Sequence, residues 1–484
     1  MSRDILLPKF TTRPAFKKKI FLAPTIIFWL LLLAFAAFRF PQPVPSKALD
    51  LNFVYDLKDE QEVSPQLLKN AVSLSAGQNL LLDDTYNLLF SNIPEFPTEP
   101  GIISRADDVL PPSGSVRILF SHMNLLIDWS SSETQNMPAT VGFAVENNTG
   151  RTLDIYAVRG SMAASRATDG SKLFIADAAP VIPGDSEPLY YGSAVGNYVV
   201  REFYLSEDRA PVNLGRALPG ERLIVSEEVG PTGWAVGIYD LALVDTATGQ
   251  YLGRSGCSEE EKVGLETFIA PLEVDLDYFL EEQLRSGQVL SPGQNENQHM
   301  RGLFVPGNYP NNPAGEAVAK SFTINYSALD CQKASFALAA ADAGDSESDI
   351  FANDLMLNGF DPSAPGVKGV NRGNYGAGYT IKLELTGPVA LVFQGGLQSG
   401  FVDVYNQIYT VWLDGTVKNV SIRDPNYDKY YKEFAALRGP GYGQVIGVFP
   451  TSGSHEHLLR FILPPNSYGP VRFYLLPLGQ TTSS

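Results

Sequence analysis

The chain has 484 residues, with 36 Lys or Arg against 53 Asp or Glu, and a net charge of -17 at pH 7. Six of the bases and one of the acids precede residue 20, which leaves a net charge near -22 beyond it. A surface this acidic disfavours nucleic acid and anionic lipid headgroups as partners. Two cysteines are too few for a disulfide framework or a cysteine zinc site, so stability has to come from apolar burial.

The first element in chain order is an uncharged apolar run at residues 20–38. A helix of that length spans roughly 28 Å, which is close to the ~30 Å of a bilayer core. Because basic flanks stay cytoplasmic, we predict a cytoplasmic tail at 1–19, an anchor in the lipid bilayer at 20–38, and an extracytoplasmic remainder. A cleaved secretory signal is the alternative, because Ala34-Phe35-Ala36 has the small-x-small form that a signal peptidase accepts. We favour the anchor, since the run stays apolar to Phe38 after a long basic region.

The remainder is too long for a single core, so two domains are expected. Residues 39–70 are polar and mixed and are predicted to be a linker. We place the first domain at 71–255, a helical linker at 256–294 and the second domain at 295–480. Polar residues rich in Pro, Gly, Asn and Gln mark the end of that linker.

Alternating apolar residues predict strands in the first domain. Residues 141–145 and 153–157 alternate, and the Asn-Asn-Thr-Gly sequence at 147–150 between them favours a tight turn. We therefore predict a hairpin with one buried face. Residues 234–244 form an apolar run that is long enough for a central strand.

One helix is predicted outside the apolar N-terminal run. Asp275 is a suitable N-cap, and Gly287 is a suitable C-terminal stop. The residues between them place one apolar stripe on a helical face, formed by Leu276, Phe279, Leu280 and Leu284.

Strand patterns return in the second domain. Residues 379–385 alternate strictly, and Asp414-Gly415 between two apolar runs predicts a type I′ hairpin. Residues 471–475 give the last strand. Many short strands, many turns and little helix predict a mainly β protein with two β-sandwich domains.

Short motifs in both predicted domains carry a resemblance to a known family. They lie at residues 74–78, 88–95, 299–304, 372–379, 461–465 and 470–472. The most distinctive is Gly373-Asn374-Tyr375-Gly376, in which Gly and Asn tolerate positive φ and Tyr can bond across a corner. With these motifs the chain resembles an uncharacterised family of exported bacterial proteins, known mainly from cyanobacteria. The resemblance implies export and an envelope setting, and it implies no activity.

Two groups of residues are candidate metal ligands. His455 and His457 are two apart, so on a strand both imidazoles would share a face and reach one Zn²⁺ or Cu²⁺; an exposed turn is the alternative. Asp345, Glu347 and Asp349 gather hard oxygen ligands that suit Ca²⁺. The EF-hand pattern fails in that segment, so a solvated acidic loop is the alternative, and we expect no other cofactor.

Tyrosine-rich loops are the candidate glycan-binding platform. Tyr190, Tyr191, Tyr427, Tyr430 and Tyr431 stand beside Gly, Asn and Asp, a composition that suits stacking against sugars. Packing over the ends of the sandwiches is the alternative.

Cys257 and Cys331 could form one disulfide across the predicted domain boundary, or each could be a small buried apolar residue in its own domain.

The sequence lacks the common catalytic motifs. It has no Gly-x-Ser-x-Gly elbow, Ser-x-x-Lys, Walker loop or His-Glu-x-x-His. Carboxylate pairs for glycoside hydrolysis stay open, since the acids are too many to rank. We therefore expect a non-catalytic envelope protein with a structural or adhesive role, whose partners are envelope polysaccharide or other envelope proteins. A glycan-binding or glycan-hydrolysing envelope protein is the alternative.

Overall fold

Strands make up 54% and helices 10% of the residues that the structure describes, which confirms the prediction of a mainly β protein. The structure is a computed structural model. It describes residues 55–74, 81–83, 86–111, 115–127, 136–164, 166–167, 173–174, 192–293, 298–305, 318–339, 357–395, 406–423, 442–465, 467 and 471–479. The chain divides into two units, and these residues belong to the second, Phe53–Ser484.

The strands are numbered in chain order. They are β1 Glu62–Val63, β2 Val72–Ser73, β3 Leu81–Asp83, β4 Asn87–Ser91, β5 Gly101–Ala106, β6 Val116–Met123, β7 Ala139–Asn148, β8 Leu153–Ala164, β9 Arg166–Ala167, β10 Leu173–Phe174, β11 Val212–Ala217, β12 Arg222–Val229, β13 Trp234–Asp245, β14 Gln250–Tyr251, β15 Lys262–Pro271, β16 Gln298–His299, β17 Arg301–Phe304, β18 Ala319–Ser327, β19 Ala334–Leu338, β20 Leu357–Phe360, β21 Lys368–Asn371, β22 Gly378–Thr386, β23 Val389–Gln394, β24 Asn406–Leu413, β25 Thr416–Arg423, β26 Gly443–Phe449, β27 Ser454–Phe461 and β28 Val471–Pro477. The α-helices are α1 Pro65–Leu68, α2 Gly192–Leu205 and α3 Leu276–Ser286, and short 3-10 helices lie at Arg254–Gly256 and Ala328–Asp330.

Hydrogen bonding groups these strands into four larger sheets and the pair β9-β10. The ten-stranded sheet has the order β11-β8-β13-β6-β4-β17-β20-β21-β16, with β14 beside β13. The four-stranded sheet has the order β12-β7-β15-β5. The first six-stranded sheet is β1-β26-β23-β28-β19-β2, and the second is β25-β24-β27-β22-β18-β3.

The sheets cross the predicted domain boundary at 256–294. In the ten-stranded sheet, β4 from the first half pairs with β17 from the second, with Leu89 opposite Leu303. The predicted linker at 39–70 also contributes to a sheet, because β1 pairs with β26. Alternating apolar residues in a strand predict which face of the strand is buried, but they do not predict which strand pairs with it. The pairing of strands across the predicted domain boundary therefore could not be predicted from the sequence.

Two large cores lie on the two faces of the ten-stranded sheet. One is enclosed with the four-stranded sheet and contains Phe120 of β6, Phe143 of β7 and Ile269 of β15. The other joins β4, β6 and β13 to α2 and to both six-stranded sheets, and it includes Phe203 and Phe473. The fold is therefore sandwich-like, with one sheet contributing apolar side chains to both cores.

The strongest local patterns are confirmed. Residues of β22 alternate strictly between half-buried and buried positions. Strands β24 and β25 form the predicted hairpin, with Asp414 at φ 47° and Gly415 at φ 83°, as a type I′ turn requires. Strand β13 pairs with β6 on one side and β8 on the other, so it is central.

The predicted hairpin at 141–157 is wrong, although both strands exist. Strand β7 pairs with β12 and β15 in the four-stranded sheet, whereas β8 pairs with β11 and β13 in the ten-stranded sheet. The connection is thus an arch between two facing sheets. Asn147 holds it, since its Nδ2 donates to Arg151 O at 2.8 Å and Ala217 O at 2.9 Å. Apolar alternation is the same for two strands of one hairpin as for two strands that face each other across a core.

Helix α3 matches its prediction at both ends. The Asp275 side chain accepts the Tyr278 N–H, Gly287 is left-handed at φ 66°, and Leu280 is buried. Helix α2 was not predicted, because its glycine and valine residues are poor helix formers, although Val195, Val199 and Phe203 recur at helical spacing.

The predicted membrane run at 20–38 lies outside the described residues. Among the residues that are described, no helix has the length and hydropathy to cross a membrane.

Candidate functional site

A group of charged side chains, which we call the glutamate cluster, lies on the outer face of the four-stranded sheet. Strand register brings its members together: Arg222 of β12 is opposite Glu146 of β7, and Glu266 of β15 is opposite Arg105 of β5. Glu146 is also opposite Gly264, two residues before Glu266 on β15. Residues two apart share a face of a strand, so the four charged side chains meet.

Ion pairs in the glutamate cluster converge on Glu146. Its carboxylate lies 3.3 Å from an Arg222 nitrogen and 3.6 Å from an Arg105 nitrogen. Glu266 is only 1% exposed, and its nearest ion pair is longer, with Arg222 Nε 3.8 Å away. Neither oxygen of Glu266 has a hydrogen-bond partner among the described residues. A carboxylate in that position would lack the compensation that a buried charge requires.

The protonation of Glu266 follows from this environment. Burial, together with the neighbouring Glu146, raises the pKa of the Glu266 carboxyl from 4.5 to about 7, against the opposing effect of Arg222 and Arg105. A carboxyl that keeps its proton near neutral pH, beside a second carboxyl held by arginines, is the arrangement from which enzymes make a general acid. The cluster therefore has the elements of acid–base chemistry.

Gly264 makes the approach of Glu146 possible. A Cβ at this position would lie 3.1 Å from Glu146 Oε2 and 3.2 Å from Glu146 Cβ. A larger residue would require the Glu146 side chain to shift by a few tenths of an ångström. This cluster was not predicted from the sequence, because Glu146 and Glu266 are far apart in the chain and lie among many other acids. A glycine two residues before a glutamate on an otherwise apolar strand is the one local signal.

The predicted histidine pair lies on a strand, not in an exposed turn. His455 and His457 are half-buried on β27. His455 Nδ1 is 2.8 Å from His457 Nε2, and His455 Nε2 is 3.0 Å from Gly387 O. His457 Nδ1 is 2.6 Å from Asp414 Oδ2, and the Phe449 ring stacks on His457 with centroids 3.7 Å apart. Both imidazoles lie on one face of β27, and their role as metal ligands stays a prediction. Within the described residues, no group of three or more His, Cys, Asp or Glu is placed to hold a metal ion.

The Gly-Asn-Tyr-Gly motif sets backbone geometry, as predicted. Gly373, Asn374 and Gly376 have φ of 93°, 54° and 78°. The Tyr375 hydroxyl donates to Ser467 O at 2.5 Å, which joins the motif to the segment before β28.

The same motif accepts a hydrogen bond from a buried ion pair. Arg117 donates to both oxygens of Asp240, at 2.6 and 2.8 Å, and to Gly376 O at 2.7 Å. Arg159 Nε donates to Asp240 at 2.6 Å. Burial tends to raise the pKa of Asp240, but the two arginines overcome it and hold the pKa below its ordinary value. Because Arg117 and Asp240 are almost fully enclosed and Asp240 is held by both arginines, the ion pair is structural.

A second buried network lies at the start of the second half. His299 Nδ1 and Arg301 Nε lie 2.7 and 2.8 Å from Asp361 Oδ2. Arg301 also donates to Ile103 O at 2.7 Å and Leu290 O at 2.6 Å. These bonds tie β17 to β5 and to the segment after α3, which explains why histidine and arginine open this half of the chain.

A serine–histidine pair occurs near this network, but it is fully buried. Ser91 Oγ is 3.1 Å from His122 Nε2 and 2.7 Å from Thr267 Oγ1, and His122 Nδ1 donates to Pro94 O at 2.9 Å. Burial lowers the pKa of His122 to about 4, so the ring is neutral. With all three side chains sealed from solvent, the pair joins β4 and β6 to β15 and is not a nucleophile.

The remaining predicted site residues have the following positions. Cys257 and Cys331 are free thiols, so the candidate disulfide is not formed. Cys257 packs against the core under the four-stranded sheet, and Cys331 ends the 3-10 helix after β18. The candidate calcium ligands Asp345, Glu347 and Asp349, and the candidate glycan platform Tyr190, Tyr191, Tyr427, Tyr430 and Tyr431, lie outside the described residues.

Comparison with known proteins assigns no family. No family model matches the chain, and no curated protein matches it, so the resemblance to an exported bacterial family stays a prediction. Among solved structures, the cryo-EM structure of the T=1 Penaeus vannamei nodavirus is 9% identical over 70% of this chain and 79% of that chain, with a TM-score of 0.11. A likeness this weak carries no argument about fold or function.

Proposed function

We propose that the protein is a membrane-anchored, extracytoplasmic component of a cell envelope with a structural or adhesive role. Its basic tail at 1–19 would remain in the cytoplasm, and residues 20–38 would cross the lipid bilayer. Beyond them, the two β-sandwich domains predicted at 71–255 and 295–480 would correspond to the ten- and four-stranded pair and to the two six-stranded sheets. Strands are exchanged between these two bodies, and the segment predicted as a helical linker at 256–294 supplies β15 to the four-stranded sheet as well as helix α3.

The sharing of the ten-stranded sheet is the observation that carries this proposal. Strand β17 continues the sheet from β4 through backbone hydrogen bonds along four residue pairs, Arg301 to Phe304 with Ser91 to Leu88. Any hinge motion between the halves would break these bonds and uncover the buried ion pairs beside them. A body built this way suits the presentation of a fixed surface better than the closing of a cleft around a substrate.

Envelope polysaccharide or other envelope proteins would be the partners of this surface. The acidic charge favours basic or cation-bridged partners and keeps the protein soluble outside the membrane. A glycan array probed with the purified full chain in detergent tests the proposed structural role against glycan binding. We expect no specific glycan signal. Specific binding to one glycan class, abolished by replacing Tyr427, Tyr430 and Tyr431 with Ala, would favour the glycan-binding alternative instead.

The glutamate cluster is the observation that favours a second candidate, glycan hydrolysis. In this hypothesis local opening of the cluster would first have to uncover Glu266, which is 1% exposed in the folded chain. Glu266 would then give its proton to the leaving oxygen while Glu146 acts as base or nucleophile. The full chain would be incubated with peptidoglycan and with a panel of soluble polysaccharides, and released saccharides would be detected by mass spectrometry. The structural role predicts no release. Release that is lost in Glu266→Gln and retained in Glu228→Gln, an exposed position on the same sheet, would establish the hydrolase.

A further inference from the structure

Each ring of the histidine pair has one nitrogen facing an acceptor and one nitrogen facing the other ring. Gly387 O only accepts, so His455 Nε2 at 3.0 Å donates its hydrogen there. The Asp414 carboxylate also only accepts, so His457 Nδ1 at 2.6 Å carries a hydrogen. In two neutral rings the remaining nitrogens, His455 Nδ1 and His457 Nε2, would then both be lone pairs, and they face each other at 2.8 Å. A cation placed between the two nitrogens would bind to both lone pairs.

A divalent metal ion can fill that role. Imidazole nitrogen is a preferred ligand of Cu²⁺ and Zn²⁺. In metal sites, each ligating histidine donates its other ring N–H to a carboxylate or backbone carbonyl, which fixes the ring and raises its basicity. Both of these outer partners are already in place here, Asp414 for His457 and Gly387 O for His455.

The geometry is close to what a metal requires. Two nitrogens that ligate one ion tetrahedrally at about 2.1 Å are roughly 3.4 Å apart. The observed separation of 2.8 Å therefore has to widen by roughly half an ångström, which small side-chain rotations on β27 can supply. Phe449 stacks on one face of the His457 ring. It blocks movement of the ring toward that face, but it does not block movement within the plane of the ring.

We propose that His455 and His457 form a two-histidine binding site for Cu²⁺ or Zn²⁺, with water completing the coordination. Cu²⁺ binds the more tightly of the two, as the order of divalent-ion affinities requires. With only two protein ligands the site is open, which is why no group of three ligands is found in the described residues. The open positions are available to a partner molecule, so the ion could cross-link an envelope partner to this end of the second six-stranded sheet.

Asp414 is the positioning residue of this site. Its Oδ1 accepts the Leu458 N–H at 2.8 Å while its Oδ2 faces His457, so the carboxylate is fixed between turn and strand. Glu456 lies between the histidines in sequence, and it forms an ion pair with Lys382 at 2.8 Å. On a strand it points to the opposite face, so it contributes nothing to the site.

Metal titration of the untagged, chelator-treated full chain in detergent tests the proposal. We expect about one Cu²⁺ or Zn²⁺ per chain by equilibrium dialysis near neutral pH, and loss of that ion in the variant with His455→Gln and His457→Gln. Glu456→Gln is the matched control and should bind as the native chain does. Asp414→Asn keeps both histidine ligands, and asparagine tolerates the backbone conformation of the turn. Because the carboxylate is lost, this variant should bind the metal ion about ten- to a hundredfold more weakly.

Two results would overturn the proposal. One is a native chain that binds no ion, or a double variant that binds as many ions as the native chain. The other is an electron paramagnetic resonance spectrum of the Cu²⁺-loaded native chain without coupling to two nitrogens. That spectrum needs no variant, so it decides the matter even where the double variant folds poorly.

Discussion

The replacement Glu266→Gln should remove a pH dependence of stability. Glutamine has the shape of the protonated glutamate and cannot ionise. In the native chain the pKa of Glu266 is raised from 4.5 to about 7 by burial and by Glu146. Between those two pH values the folded chain therefore keeps a proton that the unfolded chain has released.

The sign and the magnitude both follow from that difference. The free energy of unfolding changes with pH in proportion to the protons bound by the unfolded chain minus those bound by the folded chain, which is negative here. Stability due to Glu266 is therefore complete below pH 4.5 and falls as the pH rises toward 7. Each rise of one pH unit in this range lowers the free energy of unfolding by about 1.4 kcal/mol, so the total loss of stability is about 3 kcal/mol.

Urea unfolding of the full chain, followed by tryptophan fluorescence from about pH 4 to about pH 8, measures this effect. Native chain and Glu266→Gln should be equally stable at the acidic end, and the variant should be the more stable by about 3 kcal/mol at the alkaline end. Glu228→Gln, at an exposed position on the same sheet, is the control and should follow the native curve. Parallel curves for Glu266→Gln and the native chain would refute the account of a protonated, unpartnered carboxyl.

Three further predictions concern the fold. Asp240→Asn leaves the buried Arg117 and the half-buried Arg159 without their shared carboxylate and should lower the free energy of unfolding by about 3–5 kcal/mol; a loss below about 1 kcal/mol would contradict a buried, structural ion pair. Tyr375→Phe removes the hydrogen bond to Ser467 O and should cost about 1 kcal/mol by the same urea assay, whereas an unchanged midpoint would mean that the bond is not formed. Cys257 and Cys331 should both be alkylated in the unreduced, denatured chain by intact mass, and one unmodified pair would instead reveal a disulfide.

The elements that were predicted correctly are determined by residues that lie close together in the sequence. Helix α3 has its N-cap at Asp275, its apolar stripe and its stop at Gly287 within a single short segment. The hairpin at Asp414-Gly415 requires left-handed backbone at two adjacent residues that both tolerate it. Strict alternation made β22 equally clear.

Features that join distant segments were not predictable in this way. The pairing of β4 with β17 depends on which apolar strand lies nearest in the folded chain, and one alternating strand resembles another. Likewise, the arch between β7 and β8 has the same apolar pattern as a hairpin.

The glutamate cluster escaped prediction for a related reason. Its chemistry depends on burial, and sequence does not distinguish a buried strand glutamate such as Glu266 from an exposed one such as Glu228. The histidine pair was found because its two members are adjacent on one strand face. Its hydrogen-bond partners, Gly387 and Asp414, come from other turns and could not be named in advance.

Paired reporter fusions after Pro45 test the central claim, an anchor at 20–38 with the β body outside, most directly. One fusion carries a fluorescent protein that matures only in the cytoplasm, and the other carries a phosphatase that is active only outside it. The account predicts a dark fluorescent fusion and an active phosphatase fusion, both sedimenting with membranes. A bright fluorescent fusion with an inactive phosphatase would contradict it.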